Sequence, residues 1–287
     1  MKLTTPINCP PLPVQISLED RVLVLGSCFA DRIGSRLAAA GFEVCVNPFG
    51  TLYNPASVAQ ALDRLSDPRP FTEADCVQMG AGAELVCSWS HHSSFARPDA
   101  ASFLENANRS LVGAAAFRQR CTKLIVTLGT AFVWRLRDSG VVVSNCLKRP
   151  AAEFVHERLD EAQVLDCLER ICPPGGGPEY IFTVSPIRHL GDGAHENQLS
   201  KATLLLALDR FLAGRSAAAY FPAYEILLDE LRDYRFYAED LLHPSETAVG
   251  WIWEAFLQAA VPPAEFPRIA ENEKAARRSA HRPILAR

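Results

Sequence analysis

The chain has 287 residues, 48% hydrophobic and 22% charged, a balance that supports a folded core without disulfides or metals. A formal charge of −4 argues against a dedicated nucleic-acid binder, and no window reaches the ~18 uncharged apolar residues of a membrane span. The start, MKLTTPINCPPLPVQ, has no apolar stretch of the kind a secretory leader carries, and nine scattered cysteines without a CxxC pair read as reduced thiols. A cytoplasmic protein without nucleic-acid or membrane partners and without a zinc site is therefore expected.

In chain order, residues 21–25 (RVLVL) form a short apolar run of β type that ends at Gly26, and residues 31–40 read as a helix stopped by Gly41. Residues 42–46 are a second strand and 57–65 a second helix, ended near Asp67-Pro68. An irregular stretch follows, with a strand at 84–89, then a helix at 101–118 and a third strand at 123–128 (KLIVTL). A short strand at 141–144, a helix at 161–171, the PPGGGP breaker, a fourth strand at 179–184 (EYIFTV) and a helix at 194–213 come next. A fifth short strand is expected at 224–228 and a last helix at 245–260, with Ser245 as its N-cap.

Strands alternate with helices, and the main strand runs are continuously apolar, as in a parallel sheet covered on both faces. The expectation is a three-layer α/β/α sandwich around a mostly parallel five-stranded sheet, flavodoxin-like, in one domain over residues 1–265. Residues 266–287 read as a basic, solvated C-terminal tail.

In such sheets the site lies at the carboxyl ends of the strands, and four chemically rich segments fall there. Gly26-Ser27-Cys28 follows the first strand, Gly129-Thr130 the third, Ser185 to His189 (SPIRH) the fourth, and Asp240-Leu241-Leu242-His243 precedes the last helix. A serine hydroxyl needs a base within hydrogen-bond reach, and the base needs an orienting carboxylate. Ser27, His243 and Asp240 can fill those three roles. Each also has a structural alternative: Ser27 as a helix cap, and His243 with Asp240 as a helix entry and a surface acid. Arg188 and His189 can hold a substrate anion or buttress the site, and His92 can contact substrate or hold its own loop. Cys28 next to Ser27 is expected to pack under the first helix as a small apolar residue; a thiol nucleophile there is the alternative.

The segments GSCFA at 26–30, NPFGTLYNP at 47–55, HHSSFARPD at 91–99, TLGTAFVW at 127–134 and TVSPIRH at 183–189 resemble, in order, those of the GSCFA domain family. YFPAYEILLDELRDYRFYAEDLLHPSE, at 220–246, resembles it too. That family is placed in the SGNH/GDSL hydrolase superfamily, so the resemblance implies a serine-dependent ester hydrolase or O-acyltransferase without a cofactor or metal. A small-molecule or carbohydrate ester would be its substrate. Carried over by position, Ser27 matches the nucleophile, Gly50 an oxyanion-binding glycine, and Asp240 and His243 the final DxxH. Asn54 would fix the loop that carries Gly50 and meet substrate. The asparagine usual after the third strand is missing, so Thr130 or Asn145 would have to supply the third donor beside the N–H groups of Ser27 and Gly50. A non-catalytic binding module on the same scaffold is the competing expectation.

Overall fold

The computed structural model describes residues 4–80 and 82–280. Five strands form its central sheet: β1 (Arg21–Gly26), β2 (Glu43–Val46), β5 (Lys123–Leu128), β9 (Glu179–Val184) and β10 (Ala218–Tyr220). Their order is β10-β9-β5-β1-β2 and every neighbouring pair is parallel, which is the flavodoxin-like winding. The chain leaves β1 in one direction and returns beside it through β5. The crevice at the carboxyl ends of β1 and β5 is thus the point where the winding reverses, and ligands bind at such a point in this class of sheet.

Both faces of the sheet are buried, so alternate residues of one strand enter different cores. Leu23, Leu25, Leu124, Val126 and Phe182 pack against α2 (Pro55–Ser66), α3 (Ala100–Arg120), α4 (Glu161–Ile171) and α5 (Ala194–Leu212). Val22, Val24, Ile125 and Ile181 pack against α1 (Cys28–Ala40), α7 (Glu246–Ala260) and α8 (Phe266–Ala280). This double burial explains why the runs showed no alternation of apolar and polar residues. Two small antiparallel units decorate the carboxyl edge: a pair β3 (Val77–Gln78) with β4 (Val86–Cys87), and a sheet β7-β6-β8 made of Phe132–Leu136 (β6), Val142–Val143 (β7) and Phe154–Arg158 (β8).

Three segments differ from the sequence expectation. The fifth strand is Ala218–Tyr220, while residues 224–228 are helical, in a short turn α6 (Ala223–Glu225) continued by wider turns over Ile226–Leu231. A brief apolar run fits either state, and here Ile226, Leu227 and Leu231 reach the core from a helical turn. The strand expected at 84–89 shrinks to Val86–Cys87. The tail begins as helix α8, anchored by buried Ile269, by Asn272 donating to the Ala40 carbonyl at 2.9 Å, and by Glu273 accepting from the Trp253 indole at 3.0 Å. Residues 281–287 lie outside the described residues.

Candidate active site

The turn after β1 is built for closeness. Gly26 has φ +134°, and a Cβ there would sit 2.1 Å from the Thr127 carbonyl oxygen of β5, so only glycine lets the two strand ends approach. Its N–H donates to Asn47 Oδ1 at 2.9 Å, and Asn47 Nδ2 donates onward to Asp31 at 2.7 Å. Ser27 then caps α1: its Oγ accepts from the Phe29 N–H at 3.3 Å and lies 3.1 Å from Thr127 Oγ1. Ser27 is fully buried, whereas Cys28 is half-buried, lines the adjoining cleft and has its Sγ 3.6 Å from Tyr53 Oη. Cys28 packs against the core beneath α1, as expected, but it also lines the cleft, whereas Ser27, expected to face it, turns inward. The cap turns the serine hydroxyl inward over the first helical turn, and the next side chain faces the cleft.

The Asp240–His243 pair forms in one turn. Asp240 Oδ1 accepts from the N–H groups of Leu242 and His243 at 2.9 and 3.0 Å, and its Oδ2 lies 2.6 Å from His243 Nδ1. The bonds from the His243 and Leu242 N–H groups, with the His243 side chain, hold the Asp240 carboxyl down to about 2. An ionised carboxylate on Nδ1 fixes the tautomer that leaves Nε2 as the acceptor, and His243 lines the cleft. The turn itself is braced by Arg188, whose N–H donates to the Leu242 carbonyl and whose guanidinium donates to that of Leu241, each at 3.1 Å. Arg188 therefore serves as a buttress, while its position keeps it on the cleft wall.

Ser27 and His243 are not hydrogen-bonded to each other among the described residues, although Cys28 and His243 line the same cleft. His189 lines it as well, with Nε2 buried and unpartnered. Gly129 separates His189 from Ser27: a Cβ on Gly129 would lie 3.0 Å from His189 Nε2 and 3.4 Å from Ser27 Cβ. Burial lowers His189 to about 3, so its ring is neutral near pH 7.

The expected oxyanion donors are committed elsewhere. The Gly50 N–H closes a turn on the Asn47 carbonyl at 2.8 Å, and the Ser27 N–H bonds the Thr127 carbonyl at 3.0 Å. Asn145 Oδ1 accepts from the Leu147 N–H at 2.8 Å in its own turn, away from the cleft lining. Thr130 does line the cleft, but its Oγ1 lies 2.9 Å from Ser200 Oγ and accepts from the Phe132 N–H at 3.0 Å. Backbone groups at strand ends are satisfied first by neighbouring strands and turns, and a donor so used is not aimed at a ligand. Asn54 caps α2 through Oδ1, which accepts from the Ser57 N–H at 2.8 Å, and it lines the cleft. His92 caps the turn Ser93–Phe95 through Nδ1 and lies outside the cleft lining, a structural role in place of substrate contact.

The cleft measures about 640 Å³, within the range that holds a small organic ligand. Two of its supports were missed in the sequence. Phe132, Trp134, Val143 and His156 of the β7-β6-β8 sheet form one wall. Below the floor, Lys201 of α5 is 1% exposed and donates from Nζ to the carbonyls of Gly129 at 2.6 Å and Ser185 at 2.7 Å, tying the ends of β5 and β9 together. Burial lowers its ammonium to about 7. A lysine in helical register with Leu204 and Leu208, both buried, was a readable sign of this position. Among the described residues no group of three or more His, Cys, Asp or Glu side chains is placed to hold a metal ion, and no helix is long and apolar enough to cross a membrane.

In comparisons with known proteins, the model of the GSCFA family matches residues 21–256. No curated protein and no solved structure matches the chain.

Proposed function

This chain belongs to the GSCFA family, and from that premise we propose that it is an ester hydrolase or O-acyltransferase of the SGNH/GDSL type, with Ser27 as nucleophile, His243 as base and Asp240 as orienting carboxylate. The observation that carries the reading is the Asp240–His243 pair. A carboxylate held ionised at 2.6 Å from Nδ1 leaves Nε2 free on a cleft beside the amino end of α1, at the point where the sheet winding reverses.

For attack, Ser27 Oγ swings about χ1 from Thr127 toward the cleft and gives its proton to His243 Nε2 as its oxygen bonds the ester carbonyl carbon. The carbonyl π pair moves to oxygen. That charge is met by donors without internal partners: the Cys28 N–H at the first helical position, which has no acceptor among the described residues, and His189 Nε2 in its N–H tautomer. Collapse of the adduct expels the alkoxide, which takes the proton from His243 and leaves an acyl-Ser27. Water or an acceptor hydroxyl, deprotonated by the same imidazole, then releases Ser27.

A second reading has its own support. Cys28, the residue that faces the cleft, is the nucleophile and Ser27 only caps α1. One experiment decides between them: labelling with a fluorophosphonate probe, and rates on an activated ester, for the wild type, Ser27→Ala and Cys28→Ala. The serine mechanism expects labelling lost and rate down at least ~10³-fold in Ser27→Ala, with Cys28→Ala close to wild type. The opposite pattern establishes the thiol mechanism. Absence of labelling and turnover in the wild type returns the fold to a binding module.

A further inference from the structure

The β7-β6-β8 sheet stands between the core and the cleft, and its register sorts its side chains. Trp134 pairs with Val143 on one side and His156 on the other, so these three side chains form one row across the sheet. Phe132, two residues along β6, falls on the same face. The alternate residues Val133 and Val142 are buried in the opposite direction, within the core. The Trp134 and His156 rings stack at 3.9 Å between centroids and 11° between planes, with Phe132 at 4.9 Å from His156. Asp192 Oδ1 lies 3.4 Å from His156 Nδ1. Cys28, His189 and His243 line the same cleft.

The length and the carbon surface of this wall point to its ligand. Val143, Trp134 and His156 stand on three neighbouring strands, so the row is about 10 Å long, a span that an acetyl group cannot cover and a medium-length acyl chain can. Thr130 Oγ1, beside the wall, is engaged with Ser200 Oγ and the Phe132 N–H, and Asn54 Oδ1 with the Ser57 N–H. What the row itself offers is carbon surface, the faces of Phe132, Trp134 and His156, with which a hydrocarbon group would gain contact.

We propose that the Phe132–Trp134–Val143–His156 wall is an acyl-binding subsite that selects bulky, apolar acyl groups of medium-chain size. The word acyl rests on the ester chemistry proposed above; the subsite itself is tested by binding alone. Calorimetric titration of the full chain with octanoate and with acetate is the measurement, on wild type, Trp134→Ala, Trp134→Phe and Phe132→Ala. Octanoate is expected to bind, acetate at least tenfold more weakly. Trp134→Ala should lose tenfold or more in octanoate affinity, Trp134→Phe should recover part of it, and Phe132→Ala should show a smaller loss. Octanoate that binds no better than acetate overturns the proposal, as does unchanged octanoate affinity in folded Trp134→Ala and Phe132→Ala. Fluorophosphonate labelling of the same samples separates the two ideas. Octanoate binding without labelling supports the subsite and removes the esterase chemistry. Labelling without octanoate selectivity does the reverse.

Discussion

Replacing Asn47 by alanine should destabilise the fold and loosen the turn that carries Ser27. Asn47 Oδ1 is the acceptor for the buried Gly26 N–H, at 2.9 Å, and leaving that donor unpaired costs about 1–3 kcal/mol. Its Nδ2 donates to Asp31 at 2.7 Å; Asp31 is exposed on its other side, so this bond contributes only about 0.5–1 kcal/mol. Asn47 also holds φ +41°, a left-handed conformation that asparagine tolerates better than alanine, adding about 0.5 kcal/mol. Together these give about 2–4.5 kcal/mol. Urea unfolding followed by circular dichroism should show a lower midpoint at an unchanged slope. Asn47→Gly relieves the backbone conformation and keeps the two lost bonds, so it should recover only the smallest part. Burial raises the Asp31 carboxyl and the Asn47 amide opposes that rise, so Asp31 should titrate higher still in the alanine variant. A loss below about 1 kcal/mol with the Ser27 labelling rate intact refutes the claim that Asn47 holds this turn.

Gly129→Ala places a Cβ 3.0 Å from both His189 Nε2 and the Tyr53 carbonyl oxygen; it should cost about 1–3 kcal/mol in stability and at least ~10-fold in labelling rate, and a variant indistinguishable from wild type would show that the space between Ser27 and His189 is idle. Asp240→Asn should slow labelling at least ~10²-fold, because the amide no longer enforces the productive tautomer. Since Asp240 titrates near pH 2, a pH limb seen above pH 4 in the wild type is not its ionisation, and an Asp240→Asn protein as reactive as wild type removes it from the mechanism. Burial lowers His91, enclosed by Phe71, Phe95 and Phe103, to about 3 against 6.5 in an unfolded chain. Between those values only the unfolded state binds the proton, so this stability is complete above pH 6.5 and is lost as pH falls toward 3, at about 1.4 kcal/mol per pH unit. His91→Gln should flatten a plot of unfolding free energy against pH by that slope, with His189 leaving a similar one behind; an unchanged slope contradicts the assignment.

The segments legible in the sequence were those whose structure is set by near neighbours. After a charged first residue, residues 22–25, 124–126 and 180–182 are apolar in succession with no alternation of polar positions, and strands buried on both faces require that. Ser245 capping α7 and the Asp240–His243 pair are likewise settled within one turn of chain. The short apolar runs near residue 220 were ambiguous because three to five residues satisfy a strand or a helical turn equally well, and the place beside β9 went to Ala218–Tyr220. The commitments of the site were beyond local reading. Ser27 turns inward because Thr127, one hundred residues away, receives it, and the Gly26 N–H is met by Asn47 from the far end of β2. Trp134 becomes a cleft wall through its pairing with Val143 and His156, and Lys201 reaches two carbonyls that only the finished sheet brings together. A hydrophobic period specifies which face of an element is buried. Which donor or side chain remains free for a ligand depends on partners that folding alone brings into contact, and those partners lie far away along the chain.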